Sequence, residues 1–122
     1  MAKRRMFSQD VVGTDKFFAL PADSQLVYMY LCMWADDDGF TDHTDILLST
    51  LELGRETLEP LMKNGYLHGF DNGVYVILHW PMMNKVKKDR YAHTVHKEKY
   101  AQLTLSPTGA YILKNPANKT IV

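Results

Sequence analysis

The stretch Tyr66-Leu67-His68-Gly69-Phe70-Asp71-Asn72-Gly73-Val74-Tyr75-Val76-Ile77-Leu78-His79-Trp80 decides the fold. Two runs rich in aromatic and β-branched residues flank Asp71-Asn72-Gly73. Asn-Gly tolerates the positive φ that both central positions of a tight hairpin turn require. The reading is therefore a β-hairpin over about 66–80, with Pro81 limiting its second strand.

Upstream of the hairpin the pattern becomes helical. Residues 55–64 place Leu58, Leu61 and Met62 on one helix face, and Gly65 is set to end that helix in the left-handed conformation. Pro60 removes a hydrogen bond from a helix interior, so this helix either starts late or bends. Thr41 is placed to cap a second helix through Ile46, Leu47, Leu48 and Leu51. The first long helix covers 22–35, with Pro21 in its first turn and Asp23 near its positive end. It runs Leu26, Val27, Tyr28, Met29, Tyr30, Leu31, Cys32, Met33, Trp34, apolar on nearly every face. Such a helix belongs in the middle of a core, wrapped by the chain or covered in part by a partner. Asp36-Asp37-Asp38-Gly39 ends it; three carboxylates at the negative helix end call for solvent or for partners. Thr14 caps a short turn through Phe17 and Phe18, and residues 4–8 read as an edge strand carrying Met6 and Phe7. A strand, three helices and a two-stranded wing make the plan of a winged helix-turn-helix domain, class α+β.

Downstream the composition shifts. Asn84-Lys85-Val86-Lys87-Lys88-Asp89-Arg90-Tyr91 is basic with one aromatic, and Thr94 is placed to cap a helix over 95–103. Ser106-Pro107-Thr108-Gly109 reads as a turn between residues 103–105 and 110–113, and 114–122 as a polar, flexible tail. The expected organisation is one winged-helix domain over 1–113 with a short basic C-terminal extension. Its wing lies at about 66–80, its basic segment at about 84–99, and the tail follows.

With 122 residues, 46% hydrophobic and 23% charged, the chain has the composition of one folded domain. No apolar run reaches the roughly 18 residues that span a bilayer, and no apolar segment follows the basic start, so a cytoplasmic protein is expected. The zero net charge hides a division. Residues 6–82 hold Lys16, Arg55 and Lys63 against twelve acidic side chains, whereas residues 83–122 hold eight basic against two acidic ones. A basic end on an acidic body points to a local anionic partner or to a solvated tail.

No catalytic constellation emerges. Asp36-Asp37-Asp38-Gly39 with Asp42 lacks the EF-hand spacing and its late glutamate. His93 and His96 have no further ligand nearby, and Cys32, the only cysteine, lies in the most apolar stretch. Neither a Walker loop, a G-x-G-x-x-G nor a G-x-S-x-G elbow is present. The expectation is a non-enzymatic protein with no metal and no cofactor.

In order, Arg4-Arg5-Met6-Phe7-Ser8, Asp15 with Phe17 or Phe18, Leu20-Pro21, Gln25-Leu26, Ala35-Asp36-Asp37-Asp38-Gly39-Phe40, Gly73-Val74 to Ile77, His79-Trp80, Asn84, Lys88-Asp89-Arg90-Tyr91 and Thr94 form a set. Over roughly residues 3–113 this set resembles the N-terminal winged-helix domain of phage replisome organisers. These are DnaD-like replication initiation proteins of phages and prophages of Gram-positive bacteria. The resemblance implies a replication domain that binds origin DNA or self-associates as an oligomer in the cytoplasm of a bacterial host. It also implies a second domain that engages the host helicase or its loader, and this chain stops before such a domain.

For DNA, phosphate contacts need lysine and arginine. The candidates are Lys3, Arg4, Arg5, Lys85, Lys87, Lys88 and Arg90, with Lys97 and Lys99 beyond, and Tyr91 and Tyr75 to bond a phosphate or stack on a base. The second helix of the motif offers Arg55, Thr57, Lys63 and Asn64, but also Glu56 and Glu59. Three readings stay open: DNA binding led by that helix, DNA binding led by the wing and the basic segment, and a protein-interaction module for oligomerisation or inhibition of a host protein. A transcriptional regulator also fits the fold.

Overall fold

In a computed structural model, which describes residues 4–114, the hairpin forms around the Asn-Gly turn. Asn72 and Gly73 take φ of 58° and 73°, and the Phe70 amide donates to Val74 O at 2.7 Å. Strands β2 (Leu67–Gly69) and β3 (Tyr75–Ile77) pair antiparallel, with Leu67 opposite Ile77. β1 (Phe40–Thr41) adds to the free edge of β3, giving the order β1-β3-β2. The reading of Thr41 as a helix cap therefore fails: Thr41 faces Tyr75 in the sheet, and α4 begins three residues later (Thr44–Leu51).

Before the sheet come α1 (Gln9–Val12), α2 (Asp15–Phe18) and α3 (Ala22–Trp34). Thr14 caps α2 as expected, its hydroxyl accepting from the Phe17 amide at 3.1 Å. α3 buries Val27, Tyr28, Leu31 and Cys32, each such burial worth about 1.5–3 kcal/mol for a large side chain. The rings of Phe17, Tyr28 and Tyr66 meet edge-on, with centroids 5.4–5.6 Å apart. Burial pushes the Cys32 thiol up to about 12, which makes it an inert core residue. Pro60 is accommodated by a late start. Residues Arg55–Thr57 form a single 3-10 turn, and α5 (Glu59–Lys63) then begins with Pro60 in its first turn. Gly65 ends α5 at φ 84°, and the Tyr66 amide donates back to Leu61 O at 2.8 Å.

Two other expectations change. Residues 4–8 join no sheet. Their backbone is instead gripped by the Asn84 side chain, which accepts from Met6 N at 2.8 Å and donates to Met6 O at 3.1 Å. The second hairpin strand ends at Ile77 rather than Trp80, because Pro81 starts a helical turn, α6 (Trp80–Met83). That turn seats Trp80 in the core. Beyond it lie α7 (Lys97–Tyr100), shorter than the 95–103 expected, and a second antiparallel pair. β4 (Leu103–Leu105) and β5 (Tyr111–Leu113) flank the expected 106–109 turn. Leu103 and Tyr111 join the same hydrophobic core as α3. The fold is mixed α+β with small antiparallel sheets. Among the described residues no helix is long and apolar enough to cross a membrane.

Candidate nucleic-acid interface

The Asp36-Asp37-Asp38 turn organises the region that carries the basic segment. Asp36 Oδ1 accepts from the amides of Asp38 and Phe40, both at 3.0 Å, and its other oxygen accepts from the Thr94 hydroxyl. Asp37 is buried, accepting from Arg5 Nη1 at 3.1 Å and from the Ala92 amide at 3.0 Å. Asp38, also buried, accepts from the Tyr91 hydroxyl at 2.7 Å and from the Thr94 amide at 2.8 Å, with His93 Nδ1 at 2.9 Å. The backbone takes part: Trp80 Nε1 donates to Asp37 O at 2.9 Å, and the Tyr111 hydroxyl to Asp38 O at 2.8 Å. Burial, then the neighbouring Asp38 carboxylate, pushes the phenols of Tyr91 and Tyr111 upward. Charge-assisted hydrogen bonds of this kind are about twice as strong as neutral ones.

The consequence for the basic segment is geometric. Asn84 holds its start through Met6, and residues 91–94 hold its end through the aspartate turn. Between these anchors residues 85–90 cross the surface without regular secondary structure, closed by a turn in which Arg90 N donates to Lys87 O at 2.8 Å. Lys85, Lys87, Lys88 and Arg90 are exposed there, and none forms an ion pair among the described residues. Four cations on a loop tethered at both ends offer phosphate donors at reduced ordering cost.

The other candidates separate. Lys3 lies outside the described residues. Arg4 is exposed. Arg5 is withdrawn from any surface role: its guanidinium is 2% exposed, donates to Ala35 O at 2.7 Å, and lies 5.2 Å from the Trp80 ring centroid. Tyr91 keeps a half-open ring, but its hydroxyl belongs to Asp38. Tyr75 is buried in β3, and its hydroxyl accepts from Arg55 Nη2 at 3.0 Å, so it is no contact residue. Arg55 also pairs with Asp45 at 3.0 Å. Asn64 folds its amide back onto Pro60 O at 2.8 Å, capping α5 instead of reaching outward. Lys63 is exposed, but it shares its shallow surface hollow with Glu56 and Glu59. Lys99 pairs with Asp71 at 3.3 Å, and Lys97 is exposed.

Sequence reasoning missed Asn84, His93, Ala92 and Thr94 as the groups that position the loop. The signal was present in part, since three carboxylates at a helix C-terminus demanded partners; their identity was not readable from spacing. Among the described residues no cluster of His, Cys, Asp and Glu suits a metal ion. No protein-family model, characterised protein or solved structure matches this chain.

Proposed function

We propose that this chain is a non-enzymatic winged-helix domain of a phage or prophage replication initiation protein, a replisome organiser that binds DNA and self-assembles on it. In this reading α4 and α5 are the helix-turn-helix pair and β2–β3 is the wing. The observation that carries it is the loop 85–90, four exposed cations fixed at both ends on an otherwise acidic body. Contact led by this loop suits the fold better than contact led by α5, whose five residues include Glu59 and whose approach carries Glu56. Phosphate-led binding is tolerant of sequence, so both duplex and single-stranded DNA are substrates for the test.

Four phosphate contacts predict that affinity falls about a hundredfold between about 50 and 200 mM salt. The test is fluorescence anisotropy with labelled duplex and single-stranded DNA. Lys87→Glu with Lys88→Glu should abolish binding at the lower salt, while Lys63→Glu should change it little. Binding that survives the double substitution, or that ignores salt, overturns the assignment of the loop. A second reading, a protein-interaction module, is favoured by the exposed apolar side of α3, and a chain with no DNA affinity at the lower salt would establish it over the first.

A further inference from the structure

A row of rings leaves the end of the basic loop and crosses α7 to the hairpin. Tyr91 follows Arg90 directly, and its ring centroid lies 6.1 Å from that of His93. His93 meets Tyr100 of α7 edge-on at 4.9 Å. Tyr100 and His96 lean on the ring of Phe40, at 6.4 and 5.9 Å. Phe70 stacks on that same ring at 6.0 Å, with 26° between the planes, and His68 meets Phe70 edge-on at 4.7 Å. Phe40 is buried, so it braces the row from beneath and is no contact itself. Tyr91 is 41% exposed and the His93 side chain 37%, while Tyr100, His96, Phe70 and His68 are half-buried. Rings braced by their neighbours hold their orientation before a ligand arrives, which lowers the ordering cost of stacking on them.

We propose that this row is a stacking platform for unpaired bases, and that the chain prefers single-stranded DNA to duplex. The inference rests on the loop 85–90 as the phosphate contact of the function proposed above, and adds the element that senses strandedness. Loop and row are continuous, because Arg90 and Tyr91 are neighbours and the Tyr91 hydroxyl ties their junction to Asp38 at 2.7 Å. The charge beside the rings suits a polyanion. Residues 85–98 expose five lysine and arginine side chains against two acids, Asp89 and Glu98. The other carboxylates near the row are engaged. Asp38 accepts from residues 91–94, Asp42 meets His43 and His96 nitrogens at 3.2 and 3.0 Å, and Asp71 pairs with Lys99 at 3.3 Å. In a duplex each base is covered above and below by its neighbours, so only an unpaired base can lay its face on a ring. Every base has such a face, so the platform is tolerant of sequence and selective for strandedness.

The test is fluorescence anisotropy of the full chain with a labelled dT oligonucleotide of about 12 nucleotides, within the site size of single-strand binders. A duplex and an rU oligonucleotide of the same length are compared at about 50 mM salt. The dT strand should bind at least about fivefold more tightly than the duplex, the lower end of what one base–ring stack contributes. Tyr91→Phe and Tyr91→Leu both lose the hydroxyl bond to Asp38, and only the second loses the ring. Tyr91→Leu should therefore bind dT at least about fivefold more weakly than Tyr91→Phe, with the two variants alike on duplex. Photocrosslinking of an iodouracil oligonucleotide to the unsubstituted chain, mapped by mass spectrometry, should mark Tyr91, His93 or Tyr100, and it decides the matter where the variants do not fold. Duplex bound as tightly as dT, equal dT affinity in the two variants, tighter binding of rU, or crosslinks confined to α3 each overturn the platform and leave the phosphate role of the loop standing. Absence of binding to every probe overturns both together, so the two failures are told apart.

Discussion

Arg4 and Arg5 are adjacent, carry the same charge and have opposite roles. Arg5 is sealed between Asp37, Ala35 and Trp80, while Arg4 faces solvent. Removing one member of a buried pair strands the other, which costs about 3–5 kcal/mol. Arg5→Ala should therefore lower unfolding free energy by about that much, whereas Arg4→Ala stays within about 0.5 kcal/mol; urea titration separates them. Arg5→Lys restores charge but not the forked contact with Asp37 and Ala35, so it should recover only part of the loss. Nothing in the sequence distinguishes the two arginines, because burial is settled by what the distant Asp37 and Trp80 do. His79 gives a pH signature. Its Nδ1 is buried with no hydrogen-bond partner among the described residues, and burial, with Lys16 as a lesser cause, holds the ring below the ordinary 6.5. The folded state thus favours the neutral ring. Stability from this group is complete above pH 6.5 and is lost as the pH falls from there toward the folded-state value. His79→Gln should flatten the decline of the urea midpoint between about pH 7 and 5.5.

Among the elements, two turns use glycine at positive φ for different ends. Gly73 at φ 73° has open space where a Cβ would sit, whereas at Gly39, φ 90°, a Cβ would fall 2.5 Å from the Trp80 ring. Gly73→Ala should cost about 1–2 kcal/mol, the left-handed penalty alone. Gly39→Ala should cost more and also displace Trp80, visible as altered near-ultraviolet circular dichroism. These elements show what the sequence carries. Thr14, the Asn72-Gly73 turn and the turn at 106–109 are local devices whose chemistry acts within four residues, and each forms where it was expected. Thr41 fails as a cap because a partner strand thirty-odd residues away claims its backbone. The strand from Val74 stops short of Trp80 because Pro81 favours a helical first turn that drops the indole into the core. Two-residue β1 is too short to leave any periodic trace.

At the scale of the molecule, the basic extension is built into the body. Leu103 and Tyr111 share the core with α3, and the Tyr111 amide donates to Leu78 O at 2.7 Å. Thermal unfolding should therefore be one cooperative transition, with far-ultraviolet circular dichroism and Trp80 fluorescence coincident. Deleting residues 84–122 should strip the aspartate turn of its partners and abolish that transition, where a solvated tail would have left it intact. The sequence showed the segregation of charge, and with it the region of the candidate interface. It did not show which cations stay free, because that depends on the acids that fold back onto the chain from a distance.

The aspartate turn also imposes an order of events on synthesis. Asp38 precedes Tyr91 by 53 residues and Tyr111 by 73. At about 5–20 residues per second, translation leaves the Asp38 carboxylate waiting for roughly three to ten seconds before Tyr91 is made. During that interval Arg5 can already hold Ala35 and Asp37 at the end of α3, but Asp38 lacks Tyr91 and Thr94, and the core lacks Leu103 and Tyr111. The nascent chain is thus most adhesive before its last third exists, and the ribosome's pace sets how long that exposure lasts.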